Sequence, residues 1–192
     1  MSTTSVFQTP WGWMGVGASE YGIQSIVLPR PSRQAVYDEW LGSHSERAEQ
    51  TGQNSAEAKL VREVQTQLMA FLANQRREMD FPLDLSRGTP FQRRVWRAIL
   101  RIPYGRVRSY RWVADRVGGP HYARAVGNAL GANPVPIIVP CHRIVTSDAS
   151  LGGFTGGLPV KRKLLQLEGT LAQLNSGASR EAGGRGREED QR

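Results

Sequence analysis

Asn133-Pro134-Val135-Pro136-Ile137-Ile138-Val139-Pro140-Cys141-His142-Arg143 is the stretch on which the reading of this chain turns. Pro134, Pro136 and Pro140 remove backbone donors and exclude a helix interior or a central strand, so the segment is expected as a stiff extended strap. Where it ends, Cys141 is placed at the first turn of a helix. Exposed N–H groups there favour a thiolate and draw a thiol from about 8.5 toward neutral. His142 is the adjacent proton relay. Side chains next to each other in sequence do not usually face each other, so a bridging water is expected between them. Glu168, the one carboxylate between Asp148 and the residues after 168 that form the last segment, is the group available to orient the imidazole. Against this stand plainer readings. A lone Cys is most often a small buried apolar residue, His142 a polar surface residue and Glu168 a helix-end acid. The residues alone leave both open.

Outward from the strap, the signals are mainly helical. Gly152 to Gly157 is a glycine loop, and Leu158 to Glu168 reads as a helix ended by Gly169 in the C-cap role. The glycines allow backbone to approach a ligand closely, so loop and strap are expected as opposite walls of a pocket. Phe154 offers a flat apolar surface and Thr155 a hydroxyl donor. Upstream, Thr89 is a good N-cap with Pro90 at the first helical position, and Phe91, Val95, Ile99 and Ile102 share one apolar face. Ser109 caps a short helix carrying Val113 and Val117. Gly118-Gly119-Pro120 then turns the chain into another helix, about His121 to Leu130, giving a helix-turn-helix candidate. Small residues Ala123, Ala125, Gly127 and Ala129 on it suit either close helix packing or entry into a narrow groove. Further upstream, two strands near 11–17 and 22–28 are expected, then a short helix from Pro31 to Leu41 and a polar loop over Gly42 to Ser55. A helix from Ala56 to about Asn74 follows, and Phe81 to Leu85 is read as extended. Residues 171–192, Gly-rich and charged, are expected to be a disordered tail.

Charge is distributed unevenly. The 192 residues carry net +8, but residues 1–85 are net −3, residues 86–168 net +11 and residues 169–192 neutral. Such a basic segment suits a polyanion. One Cys makes an internal disulfide impossible, and with only His44, His121 and His142 beside it a four-ligand structural zinc site of cysteines and histidines is not expected. No apolar run reaches a membrane span, and Met1 to Trp13 lack the layout of a secretory signal. A cytoplasmic protein without metal or cofactor is expected.

The run from Asn133 to Val145, with Arg124-Ala125-Val126-Gly127 before it, resembles the O6-alkylguanine-DNA alkyltransferase family, the methylated-DNA–protein-cysteine S-methyltransferases. The likeness continues through Leu151-Gly152-Gly153-Phe154-Thr155-Gly156-Gly157-Leu158, Lys161, Leu164-Leu165 and Glu168-Gly169, and upstream through Gly88 to Gln92 and Gly105 to Tyr110. It covers about Phe81 to Gly169, while the first 80 residues match only in general layout. The resemblance implies an α+β protein: a ribonuclease-H-like α/β domain over 1–85, then a helical domain with a helix-turn-helix over 86–170. It implies single-turnover transfer of an alkyl group from O6-alkylguanine, flipped out of double-stranded DNA, to Cys141. O4-alkylthymine is a further possible substrate.

By that resemblance, Glu168 orients His142, His142 deprotonates Cys141 through a water, and Asn133 holds the turn. Arg124 fills the space left by the extruded nucleotide, and Tyr110 crowds its 3′ phosphate. Arg111, Gln92, Gly119, Ala123, Ala125, Gly127, Pro136, Ile144, Ser147, Phe154 and Thr155 are the further substrate and DNA contacts. Docking is expected through the minor groove, by a monomer. Departures are Tyr122 and Asn128, where relatives often carry smaller residues, Phe154 for Tyr and Thr155 for Ser. The alternatives are a non-catalytic lesion sensor on the same scaffold, which would carry Trp in place of Cys141, and a helix-turn-helix transcription factor with an incidental thiol.

Overall fold

The computed structural model describes residues 3–43 and 55–175. Three strands, not two, open the chain: β1 (Thr3–Thr9), β2 (Gly12–Ser19) and β3 (Gly22–Arg30) form an antiparallel meander in the order β1-β2-β3. β1 escaped the sequence reading because its middle is only half-buried and shows no clean alternation. Gly15 and Gly17 are interior residues of β2. A Cβ on Gly15 would lie 2.8 Å from Val36 and 2.9 Å from the Trp40 ring, and one on Gly17 would lie 2.5 Å from Ser25 Oγ. They are absent side chains that let α1 (Arg33–Ser43) lie close on the sheet. Val36 and Trp40 seal that face with Val27, and Trp40 Nε1 donates to Ser25 Oγ at 3.1 Å.

α2 (Ala56–Leu72), capped by Ser55, packs its apolar stripe Val61, Val64, Leu68 and Phe71 on the opposite face, against Met14, Val16 and Ala18. The expected loop over Gly42 to Ser55 is shortened by α1, which runs through Ser43; its positions 44–54 lie outside the described residues. Pro82 to Asp84 then dock on β3. Ile23 N donates to Pro82 O and Asp84 N to Ile23 O, so the expected extended segment is an added edge to the sheet.

The remainder is helical. Thr89 and Gln92 exchange side-chain and backbone hydrogen bonds as a capping box at the start of α3 (Pro90–Ile99). β4 (Arg108–Ser109) leads into α4 (Tyr110–Val117), whose N-cap Ser109 accepts from Trp112 N. Gly118 and Gly119, both with positive φ, turn the chain into a single 3₁₀ turn, Pro120–Tyr122, and then α5 (Ala123–Gly131). The helix expected from His121 therefore starts two residues later, after its 3₁₀ lead-in. β5 (Ile144–Val145) pairs in parallel with β4, α6 (Leu158–Leu167) follows the glycine loop, and α7 (Leu171–Asn175) ends the described chain.

α7 corrects the tail expected over 171–192. Leu174 is buried against Val145 and Leu165, so the first five of those residues belong to the fold; 176–192 lie outside the described residues. One apolar core runs from Met14 and Leu68 through Val95 and Trp96 to Val126, Val139 and Leu164. Sheet and helices thus share an interior, and Ile26 N donates to Pro134 O at 2.8 Å, which fastens the Cys-bearing loop to β3.

Candidate active site

The segment 133–143 is not an extended strap. Val139 N donates to Val135 O at 2.9 Å, and Pro136 and Val139 face each other across a short bridge, so the chain folds back on itself with Ile137 at φ +75°. The prolines do exclude helix and central strand, but the donors they remove are replaced by one side chain. Asn133 Oδ1 accepts from Val135 N at 3.1 Å, while its Nδ2 donates to Val139 O at 2.8 Å and to Cys141 Sγ at 3.1 Å. Asn133 therefore braces the loop and touches the sulfur with the same amide.

Cys141 opens a one-turn 3₁₀ helix, Cys141–Arg143, and is 6% exposed. The expected acidification is not what the surroundings give. Burial pushes the thiol up, opposed by the Asn133 hydrogen bond, the positive charge of Lys161 and the backbone N–H groups of Cys141 and His142. One turn with a few oriented amides does not overcome desolvation.

His142 is fully buried, and its Nε2 lies 2.9 Å from Glu168 Oε1. Burial would raise the Glu168 carboxyl, but hydrogen bonds from His142 and Arg143 and the positive charge of Arg143 prevail and hold it down to about 2. The carboxylate is therefore ionised and accepts, which puts the imidazole proton on Nε2 and the lone pair on Nδ1. Burial, opposed by Glu168 and assisted by Arg143 and Lys161, holds His142 below its ordinary value and so neutral. Nδ1 has no hydrogen-bond partner among the protein atoms. The group is a preset base.

Two side chains to which the sequence reading gave no role complete the network. Arg143 forks onto Glu168, with Nη2 to Oε1 at 2.8 Å and Nε to Oε2 at 3.0 Å, and its Nη1 donates to Ile102 O. Lys161, with no exposed surface, donates to the carbonyls of Ile144, Leu151 and Gly153. Burial brings it down to about 8, opposed by the Cys141 sulfur. Nothing local in the sequence marks either one as buried. The signal available was that Arg143 directly follows His142 and Lys161 lies on the inward stripe of α6.

A cavity of about 320 Å³ reaches Cys141 and is lined by Tyr110, Gly127, Leu130, Gly131, Gly153, Phe154 and Thr155. Its walls are α4 and α5 on one side and the glycine loop on the other, not strap against loop as expected. Pro136 instead lines a second cavity of about 400 Å³ on the β3 side of Cys141, as does Gln92, whose amide oxygen is engaged in the capping box. Tyr110 Oη reaches Gly153 O at 3.4 Å, and a Cβ on Gly152 would lie 2.9 Å from that hydroxyl, so glycine lets the ring lie against the loop. Thr155 Oγ1, expected as a donor toward substrate, donates to Gly131 O at 2.8 Å and ties the loop to α5. Ile144 is wholly buried and lines neither cavity; its backbone carbonyl, not its side chain, enters the network through Lys161. Arg111 and Arg124 are exposed on α4 and α5, Ala123 and Ala125 are half-buried on α5, Gly119 sits in the turn, and Ser147 is exposed after β5. Among the described residues no group of three or more His, Cys, Asp or Glu is placed to hold a metal ion, and no helix is long and apolar enough to cross a membrane.

Comparison with known proteins bears on what this cavity serves. Residues 90–170 match the domain described as "6-O-methylguanine DNA methyltransferase, DNA binding domain". A Mycobacterium bovis methylated-DNA–protein-cysteine methyltransferase is 54% identical over 106 residues, 55% of this chain and 64% of its own length. A Methanosarcina barkeri protein of the same name is 44% identical over 164 residues, 85% of this chain and 94% of its own. The chain belongs to the methylated-DNA–protein-cysteine methyltransferase family. A crystal structure of Mycobacterium tuberculosis OGT in complex with DNA superposes with a TM-score of 0.68 at 34% identity, covering 91% of this chain and 98% of that one. The mixed α/β architecture of the methyltransferase family is therefore present over nearly the whole chain, sheet included, and not only over the helical segment.

Proposed function

We propose that this protein repairs DNA by direct reversal: it moves the alkyl group of O6-alkylguanine onto Cys141 Sγ, once per molecule. The observation that carries the reading is a lone thiol at the base of a 320 Å³ cavity, held by Asn133 Nδ2 at 3.1 Å beside a neutral, carboxylate-oriented imidazole. His142 Nδ1 takes the Cys141 proton through a water. The sulfur then attacks the alkyl carbon, the S–C bond forms, the C–O6 bond breaks, and its electron pair leaves with the guanine. The imidazolium returns the proton to the base. Raising the thiol by burial suits a reagent that must stay unspent until substrate fills the cavity. The product is a thioether, which no second nucleophile here can cleave, so the reaction is stoichiometric.

Access to O6 requires a flipped nucleotide, at a cost of a few kcal/mol. α4, its glycine turn and α5 form the helix-turn-helix. α5 enters the minor groove of double-stranded DNA on its small residues, Arg124 stands in for the extruded base, and Tyr110 crowds the neighbouring phosphate. Arg111 and the other exposed arginines contact phosphates. Residues 1–85 form a ribonuclease-H-like unit, and residues 86–170 carry DNA binding and transfer. In this reading the protein works as a cytoplasmic monomer without cofactor.

The test is mass spectrometry of the protein after mixing with an oligonucleotide carrying O6-methylguanine. One methyl on the Cys141 peptide, one equivalent per molecule, is expected. Tight binding without transfer would instead make the chain a lesion sensor, and more than one equivalent repaired would end the stoichiometric reading.

A further inference from the structure

Glu168 has more donors than a carboxylate serving His142 alone would need. Oε1 accepts from His142 Nε2 at 2.9 Å and from Arg143 Nη2 at 2.8 Å and Nε at 3.1 Å; Oε2 accepts from Arg143 Nε at 3.0 Å and from Gly105 N at 3.3 Å. Arg143 Nη1 is fixed on Ile102 O at 2.6 Å, so the guanidinium cannot turn away. The side chains of His142 and Glu168 have no exposed surface, and that of Arg143 is 9% exposed. A carboxylate left alone with an imidazole in such a place draws a proton onto it, because the ion pair is the cheaper way to bury the negative charge. A protonated imidazole has no lone pair to offer a thiol.

We propose that Arg143 is a positioning residue for the transfer reaction: by neutralising Glu168 it leaves the carboxylate able to orient His142 without protonating it. This rests on the function proposed above. The groups facing the imidazole agree in sign. Glu168 approaches from the end of α6 as the one negative charge, Arg143 from the same turn and Lys161 from α6 are positive, and the Cys141 thiol adjoins in sequence. Tyr104, over whose ring Arg143 lies at 5.9 Å, donates to Leu167 O at 2.9 Å and adds no charge. Two buried cations against one buried carboxylate keep the base free.

The experiment is the pH profile of single-turnover methyl transfer from an O6-methylguanine oligonucleotide, with the full chain and its Arg143→Met and Arg143→Lys variants. It is paired with an NMR titration of His142. In Arg143→Met the acid limb should move up by about one pH unit, so transfer falls toward about tenfold at pH values below the parent's limb while changing little at pH 8.5; Arg143→Lys should keep the original limb. A loss by the same factor at every pH, or an unmoved limb, overturns the proposal and leaves Arg143 as a structural clamp. If Arg143→Met does not fold, the titration of the unmodified protein decides. An imidazole that stays neutral below its ordinary range supports the role, and one that protonates at or above 6.5 with Arg143 in place overturns it. Unmodified protein that transfers no methyl at any pH would instead overturn the function on which the proposal rests.

Discussion

Asn133 shows how much one side chain does here. Its amide closes the proline loop through Val135 N and Val139 O and spends its remaining donor on Cys141 Sγ. As negative charge gathers on sulfur, that hydrogen bond strengthens, and bonds to charged groups are worth about 1.5–3 kcal/mol. Asn133→Ala should slow methyl transfer about 10- to 100-fold, measured at saturating oligonucleotide, and should also lower the melting temperature because two backbone groups lose their partner. A rate unchanged in the folded variant would remove Asn133 from the chemistry. Lys161→Met tests a different burden. Its ammonium satisfies three carbonyls from β5 and the glycine loop, and leaving buried acceptors unpartnered costs about 1–3 kcal/mol each. Destabilisation of about 3 kcal/mol in a denaturant melt is expected. The candidate Cys-His pair and its one distant carboxylate were visible in the sequence, but the residues alone left a buried structural thiol equally open, and only the family resemblance gave them roles. The sign of the thiol's shift was not visible, because it depends on how deeply distant elements bury Cys141. The same applies to Arg143, which as sequence is one more basic residue in a basic segment.

At the scale of elements, punctuation was readable and packing was not. Thr89-Pro90 and Ser109 announce α3 and α4 because capping is local chemistry. Thr89→Ala should cost about 1 kcal/mol by chemical denaturation, with Gln92 losing its reciprocal partner. Gly15 and Gly17 carry no local mark of their role, which is set by α1 lying across them. Gly15→Ala would place a methyl 2.8 Å from Val36 and 2.9 Å from Trp40. Overpacking of this kind costs about 1–3 kcal/mol, and a melting temperature at or above the parent's would show that α1 yields easily. The proline loop failed for the opposite reason. Proline rules state which regular structures are forbidden, and the path actually taken was chosen by the Asn133 side chain and the Pro134 anchor on β3.

Over the whole molecule, charge and burial act on different properties. The net +11 of residues 86–168 suits a polyanion, so in the proposed function affinity for duplex DNA should fall with salt by about 0.9 in log–log slope per neutralised phosphate; a flat dependence in a fluorescence titration would contradict the proposed DNA interface. Stability answers instead to the buried network. His142 lies below its ordinary 6.5, so an unfolded chain takes up its proton first, and this contribution, complete above pH 6.5, shrinks as pH falls. Glu168, held at about 2 against an ordinary 4.5, behaves in the same direction one step lower. Its contribution is complete above about pH 4.5 and is lost progressively down to about pH 2, a span worth about 3 kcal/mol. Unfolding free energy should therefore decline in two stages on acidification, gently from pH 6.5 and steeply below 4.5. Glu168→Gln should remove the second stage while lowering stability at neutral pH, because Arg143 is then buried without its counter-charge. Urea melts between pH 3 and 8 check this, and a variant that keeps the steep lower stage would place the acid sensitivity outside the Glu168 network.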